Sequence, residues 1–241
     1  MRLDRALVSR GLARSRQHAS ELVRSGLVTV DGVSAAKPSL TVADSALLDA
    51  PADTYVGRAA HKLVGALADS GTTVSGRVLD AGASTGGFTQ VLLEAGAERV
   101  YAVDVGRDQL AAVLRTDPRV VVHEGINLRD LTMELVGNDP VNLVVADVSF
   151  ISLRLLVEPL LRVLREDGVA LLMVKPQFEV GRERLGTGGV VRHEKDRVAA
   201  VDEVSKAADA LGWSEDWRGV SRLPGPAGNV EYFLRLRWTG H

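Results

Sequence analysis

Four polar residues sit where apolar segments begin or end, and their types are those of proton-handling chemistry. Lys175 follows the apolar run 169–174 and leads into Pro-Gln-Phe-Glu, and Asp147 follows the apolar segment 142–146 and precedes Val-Ser-Phe. Lys62 lies in an expected helix ahead of the first strong strand pattern, and Glu231 opens the last strand pattern after Pro-Gly-Pro-Ala-Gly-Asn. An ammonium directly behind six apolar residues is costly to bury without a partner. Two carboxylates and a second ammonium supply that compensation if folding gathers the four. An amine desolvated beside another cation can take a proton from a weak acid, and carboxylates can orient it. Taken singly, Lys62 and Glu231 read as surface charges, whereas Asp147 and Lys175, flanked by core strands, read as site residues. The chain has no cysteine, which excludes disulfides, thiolate metal sites and cysteine nucleophiles, and no metal site is expected.

The glycine-rich stretch RVLDAGASTGGF, residues 77–88, says what the amines work beside. It reads as a buried strand carrying Asp80, then Gly82, Ser84, Gly86 and Gly87 opening a helix that begins with Phe88. In a doubly wound sheet the ligand lies beyond the carboxyl ends of the strands, and glycines allow the backbone to approach it. A second strand ends in Asp104, whose carboxylate suits two ribose hydroxyls and points to a nucleoside-containing cofactor. A dinucleotide fingerprint needs glycine where Ser84 stands, and Asp80 is unfavourable beside a pyrophosphate. A phosphate-loop ending in Gly-Lys-Ser/Thr is missing as well. A carboxylate suits a cationic ligand better. The stretch resembles the first motif of S-adenosylmethionine-dependent methyltransferases, which implies that cofactor, with Asp80, Gly82, Ser84, Gly86, Gly87, Phe88 and Asp104 at its site. Asn127, beyond the third strand, is a candidate for an adenine contact or a turn former.

The ordered set Lys62, Asp147, Lys175 and Glu231 resembles the tetrad of RNA ribose 2′-O-methyltransferases of the FtsJ type. A ribose hydroxyl is a poor nucleophile at neutral pH, while a sulfonium is already an activated methyl donor. Catalysis then requires orientation and removal of one proton. The resemblance implies Lys175 as base or oxyanion stabiliser, Lys62 assisting electrostatically, and Asp147 and Glu231 positioning them. Base-modifying relatives carry Asn/Asp-Pro-Pro-aromatic after the fourth strand, or a nucleophilic cysteine; this chain has Asp-Val-Ser-Phe and no cysteine.

These residues need a scaffold, and the chain supplies the pattern of one. Its 241 residues, 46% apolar and 25% charged, suffice for one full core plus a small appendage. Strands are expected at 77–81, 100–105, 120–123, 141–148, 169–174, 217–222 and 231–238. Helices are expected near 59–69, 87–95, 107–115, 153–165 and 194–211, with Pro159 kinking or restarting the fourth. Such alternation predicts an α/β fold: a doubly wound, Rossmann-like sheet, mostly parallel and covered on both faces. Residues 58–241 are assigned to this methyltransferase domain and 51–57, with Pro51, to a linker.

Residues 1–50 read differently: two short helices divided by Gly11, a cap at Ser15, and a hairpin turning at Asp31-Gly32. The formal net charge is −2 overall, but this segment carries +2 and the rest −4. It resembles the small α+β RNA-binding domain of ribosomal small-subunit protein four, which makes Arg5, Arg14, Arg16, Gln17 and Arg24 candidate RNA contacts, with His18 nearby. Together with RAAHKL, LDAGASTGGFTQVLL, DVSFISL, VKPQFEVG and LPGPAGNVEYFL, the module is similar to the TlyA family along almost the whole chain. That resemblance implies methylation of cytidine 2′-hydroxyls in ribosomal RNA of one or both subunits, and a link to capreomycin-type antibiotics. The linker departs from relatives carrying Arg-x-Trp-Val, since Asp53, Thr54, Tyr55 and Val56 stand here. The glycine- and charge-rich loop 181–195 is expected to be a mobile lid over RNA. No apolar stretch is long enough to span a membrane and the charged start lacks a signal core, so a cytoplasmic, monomeric enzyme acting on ribosomal subunits is expected. The competing readings are a membrane-active haemolysin, after a label the family has carried, and a ribosome-assembly factor without catalysis.

Overall fold

The computed structural model describes residues 1–13, 15–24, 26–50 and 55–240. They fall into two compact units, Met1–Tyr55 and Val56–His241.

In the first unit, α1 (Leu3–Ser9) packs on α2 (Arg16–Arg24). Leu3, Ala6, Leu7, Ala19, Leu22 and Val23 recur at helical spacing and form its buried core. Ser15 Oγ accepts the His18 N–H at 3.1 Å, so the cap is made. β1 (Thr29–Val30) and β2 (Val33–Ser34) form the hairpin, and β3 (Leu48–Asp49) pairs with the other edge of β1, all antiparallel. Asp31 and Gly32 have φ of 51° and 80°, the pair of left-handed residues that lets a two-residue turn match the strand twist.

The second unit contains β4 (Arg77–Ala81), β5 (Arg99–Asp104), β6 (Val120–Glu124), β7 (Val141–Ala146), β8 (Leu164–Val174), β9 (Trp213–Val220) and β10 (Tyr232–Trp238). They form one sheet of order β6-β5-β4-β7-β8-β10-β9, in which β10 is antiparallel to both neighbours and the other adjacent pairs are parallel. Its helices are α3 (Ala59–Ser70), α4 (Gly87–Glu94), α5 (Ala112–Arg115), α6 (Val157–Arg162), α7 (Pro176–Glu179) and α8 (Glu194–Asp209). Period-two alternation along the strands builds two apolar faces. Leu79, Val144, Leu172 and Leu234 join Leu160 of α6 and Val201 and Val204 of α8 in one cluster. The alternate residue Phe233 stacks on Phe88 of α4, ring centroids 6.3 Å apart, on the other face. The sheet is thus covered on both sides, a doubly wound α/β fold.

Several elements differ from expectation for local reasons. The helix expected over 107–115 survives only as α5, because Asp108 has a positive φ of 55° and the preceding residues form a loop. The stretch 153–165 splits into a 3₁₀ turn at Leu153–Leu155, then α6, then the start of β8. Pro159 sits in the first turn of α6, where amides lack intrahelical acceptors, so it restarts the helix without cost. β9 begins at Trp213, four residues before the apolar pattern suggested, and ends at Val220.

Candidate active site

The chain starts the sheet at β4 in its interior, winds outward through β5 and β6, and returns to β7 on the other side of β4. That reversal creates the crevice in which doubly wound sheets hold ligands. Ala81 of β4 pairs with Ala146 of β7, which makes Gly82 and Asp147 the next residues of each strand, and the Asp147 N–H donates to the Ala81 carbonyl at 3.0 Å. Gly82 has φ of 88°, and a Cβ there would stand 2.7 Å from the Asp147 carbonyl oxygen. Only glycine meets both demands.

Two cavities open at this crevice and share Gly82, Ser84, Asp147 and Ser149. The larger, about 540 Å³, is also walled by Asp104, Gly106, Gln109, Asn127 and Phe150. The smaller, about 240 Å³, is walled by Arg58, Gly87, Phe88 and Lys175. Asp104 accepts the Ser84 N–H at 2.9 Å on one oxygen and the Gly106 N–H at 2.6 Å on the other. Both oxygens are thereby fixed at the cavity wall, each with a further lone pair. Asn127 does two things: it walls the larger cavity and caps the turn Leu128–Asp130 by accepting the Arg129 N–H at 3.0 Å.

Two of the expected cofactor residues lie behind the wall. Gly86, with φ of 97°, makes room for Leu110 and Leu114, since a Cβ would stand 2.3 Å from Leu114 Cδ1. Asp80 is fully buried beneath the glycine turn and accepts the Thr89 hydroxyl at 2.6 Å, while its Oδ1 has no partner among the described residues. Burial, helped by the charges of Asp147 and Asp104 and opposed by the Thr89 hydrogen bonds, pushes this carboxyl up to about 7.

The four charged candidates form two ion pairs. Lys62 Nζ on α3 donates to Glu231 Oε2 at 2.5 Å, with the side chains 6% and 1% exposed. Lys175 Nζ lies 2.6 Å from Asp147 Oδ1, a close charge contact outside hydrogen-bond angles, and donates to Ser149 Oγ at 2.7 Å. Tyr232 lies opposite Val174 in the β10–β8 ladder, so Glu231 and Lys175 continue the register from one pair to the next. Lys175 follows β8 as Asp147 follows the parallel β7 and Gly82 follows β4, so it lies at the same end of the sheet as the glycine turn, with which it shares a cavity.

Three contributors were not foreseen. Ser149 holds the Lys175 amine, Arg58 walls the smaller cavity, and Phe150 is 90% exposed with a φ of 65°. The Phe150 ring stands 5.3 Å from that of Phe178. The signal that could have found Ser149 and Phe150 is the polar-aromatic break Asp-Val-Ser-Phe straight after an apolar strand; Arg58, just ahead of α3, carries no such local signal. Loop 181–195 is fastened at its later part: Asn229 accepts the Val191 N–H at 2.9 Å and donates to the Gly189 carbonyl at 3.0 Å.

In the first unit the arginines divide. Asp4, 2% exposed, holds Arg2 and Arg16, each at 3.1 Å, and the Arg2 hydrogen bond chiefly lowers its carboxyl to about 2. Arg10 donates to the carbonyls of Ala43, Asp44 and Ala46. Gln17 donates to Glu21 at 3.1 Å. Arg5 and Arg24 are exposed without a side-chain partner among the described residues. Arg14, Asp53 and Thr54 lie outside the described residues.

A doubly wound sheet of this order, with a glycine turn, a ribose-type aspartate and lysine–carboxylate pairs at its switch point, defines the methyltransferase class. Residues 55–238 match the FtsJ-like methyltransferase family and residues 1–47 the S4 domain. The chain is 52% identical over 240 residues to the 16S/23S rRNA (cytidine-2′-O)-methyltransferase TlyA of Mycobacterium tuberculosis, covering 98% of this chain and 89% of that protein. It is 37% identical to Hemolysin A of Brachyspira hyodysenteriae, covering 98% of this chain and 99% of that protein. A solved structure described as a hemolysin of Streptococcus thermophilus superposes with a TM-score of 0.78 at 36% identity, covering 100% of this chain and 89% of that one. The chain belongs to the TlyA family of FtsJ-like methyltransferases. Among the described residues, no helix is long and apolar enough to cross a membrane, and no cluster of three or more His, Asp or Glu could hold a metal ion.

Proposed function

We propose that this protein methylates the 2′-hydroxyl of a cytidine in ribosomal RNA, using S-adenosylmethionine. The observation that carries the reading is the wall between the two cavities, where Gly82, Ser84, Asp147 and Ser149 face both and Lys175 faces the smaller. The larger cavity lies within the size range of small-ligand sites and fits the donor. Gly82 leaves its backbone open to a ligand, Asp104 offers lone pairs to ribose hydroxyls, and Asn127 and Gln109 line the same wall. When bound there, the donor supplies a methyl group already activated on a sulfonium.

The remaining work belongs to the chain. The smaller cavity takes the acceptor sugar, and Lys175, steered by Asp147 and Ser149, orients the hydroxyl and, in its neutral amine form, takes up the proton released as the ribose oxygen accepts the methyl group. Glu231 holds Lys62, whose charge favours the developing oxyanion. Arg5 and Arg24 of the S4 unit, with Arg14, contact RNA phosphates, Arg16 and Gln17 flank them while held by Asp4 and Glu21, and loop 181–195 adds contacts near the acceptor. The protein works as a monomer, in the cytoplasm, on ribosomal subunits.

The test is methyl transfer to isolated ribosomal subunits, mapped by ribose-methylation sequencing. The wild type is expected to modify a cytidine 2′-hydroxyl, and Lys175→Ala to lose about 100-fold to 10,000-fold in rate with donor affinity retained. Full activity of the variant removes Lys175 from the chemistry. Transfer by the wild type to a base instead of a ribose overturns the acceptor assignment.

A further inference from the structure

Outside the ion pairs, a buried carboxylate ties the two site-bearing loops together. Glu179 closes α7, four residues after Lys175, and its side chain is only 2% exposed. Its Oε2 accepts the Ser152 hydroxyl at 2.6 Å and its Oε1 accepts the Leu153 N–H at 2.6 Å. Arg154 Nε stands 3.4 Å from Oε2 and supplies the countercharge. The Leu153 N–H is a free donor at the start of a 3₁₀ turn, and the preceding Ser152 does not cap it with its own side chain. A carboxylate from another segment does so instead.

The consequence lies upstream. Residues 147–153 run from Asp147 through Ser149 and Phe150 to this anchor; residues 147–151 wall the larger cavity, and Asp147 and Ser149 wall the smaller one as well. Lys175 grips the loop at its start through Asp147 and Ser149, Phe178 meets Phe150 midway, and Glu179 fixes its end. Phe150 keeps a positive φ of 65°, a conformation that a non-glycine residue holds only when its surroundings impose it. A loop gripped only at Asp147 would be free to relax that strain, moving Ser149 and with it the Lys175 amine.

We propose that Glu179 is a positioning residue that sets the geometry of loop 147–153, and through it the placement of the Lys175 amine against donor and acceptor. Its effect on turnover rests on the methyl-transfer reading above. Its effect on the loop does not.

The test uses full-length Glu179→Ala and Glu179→Gln, with Ser152→Ala as a milder break of the same contact. Hydrogen exchange is followed on peptides spanning residues 148–155, alongside thermal stability, donor affinity by calorimetry, and kcat and KM on ribosomal subunits. In Glu179→Ala those amides are expected to exchange about tenfold faster or more, while the β4 and β5 amides stay protected. kcat is expected to fall on the order of 100-fold, with KM for the subunits changed little. Glu179→Gln, which keeps an acceptor for the Leu153 N–H, should restore most of the protection and most of kcat. Unchanged exchange over 148–155 in Glu179→Ala overturns the proposal. Equal damage in Ala and Gln variants, with loosening throughout the sheet, also overturns it. Should Glu179→Ala fail to fold, Ser152→Ala decides by the same exchange criterion. If the wild type transfers no methyl, the functional reading fails while the exchange result still judges the clamp.

Discussion

Asp80 shows how the same residue type serves different ends under one loop. Asp104, at a strand end and fastened by two backbone amides, keeps lone pairs at the cavity wall; Asp80, one residue before the end of β4, is sealed away with its Oδ1 unpartnered among the described residues. Between its ordinary value of 3.8 and its folded value of about 7, the folded chain retains a proton that the unfolded chain has released. Stability therefore falls as pH rises through that window, and the contribution lost is at most a few kcal/mol. Asp80→Asn removes the titration while keeping an acceptor for Thr89. Melting curves from pH 5 to 8 should show the wild type losing more of its midpoint temperature than Asp80→Asn. Parallel curves would mean that Asp80 does not titrate in this range.

At the scale of elements, the crevice is made by two strand ends held at one spacing, and Gly82 is where that spacing is tightest. Gly82→Ala adds a Cβ 2.7 Å from the Asp147 carbonyl oxygen at a φ of 88°. The strain should cost about 1–3 kcal/mol, and relief by moving Asp147 would draw it from Lys175. Calorimetry should show donor affinity reduced at least tenfold or so, and methyl transfer reduced further. Unchanged affinity would show that the turn relaxes elsewhere. The sequence made this much legible because periodicity and glycines report the backbone: five-residue β4, the turn after it, and the apolar strands ending in Asp147 and Lys175 are all local patterns. What periodicity could not report was pairing. That Lys62 reaches Glu231, 169 positions away, or that Glu179 supplies the cap Ser152 does not, follows only from strand order. The helix expected over 107–115 failed for a related reason, since Asp108 takes a left-handed turn that leaves Gln109 on the cavity wall.

For the whole molecule the question is how a chain of net charge −2 engages a polyanion. The S4 unit carries the positive share, and its fold spends part of it internally: Arg2 and Arg16 on Asp4, Arg10 on three carbonyls. Arg5 and Arg24 remain exposed, so a small number of phosphate contacts is expected, giving moderate affinity that weakens with salt. Each phosphate contact contributes about 0.7–0.9 to the slope of log affinity against log salt concentration. In full-length protein, Arg5→Gln together with Arg24→Gln should lower that slope by about 1.4–1.8 if both side chains touch phosphate. Donor affinity should be unchanged, because the glycine turn and Asp104 lie wholly within the second unit. Filter binding of ribosomal subunits across a salt series reads the slope directly. A slope equal to the wild type's would place RNA recognition on other residues, and the acidic remainder of the chain would then have to supply it from a local basic surface such as the loop at 181–195.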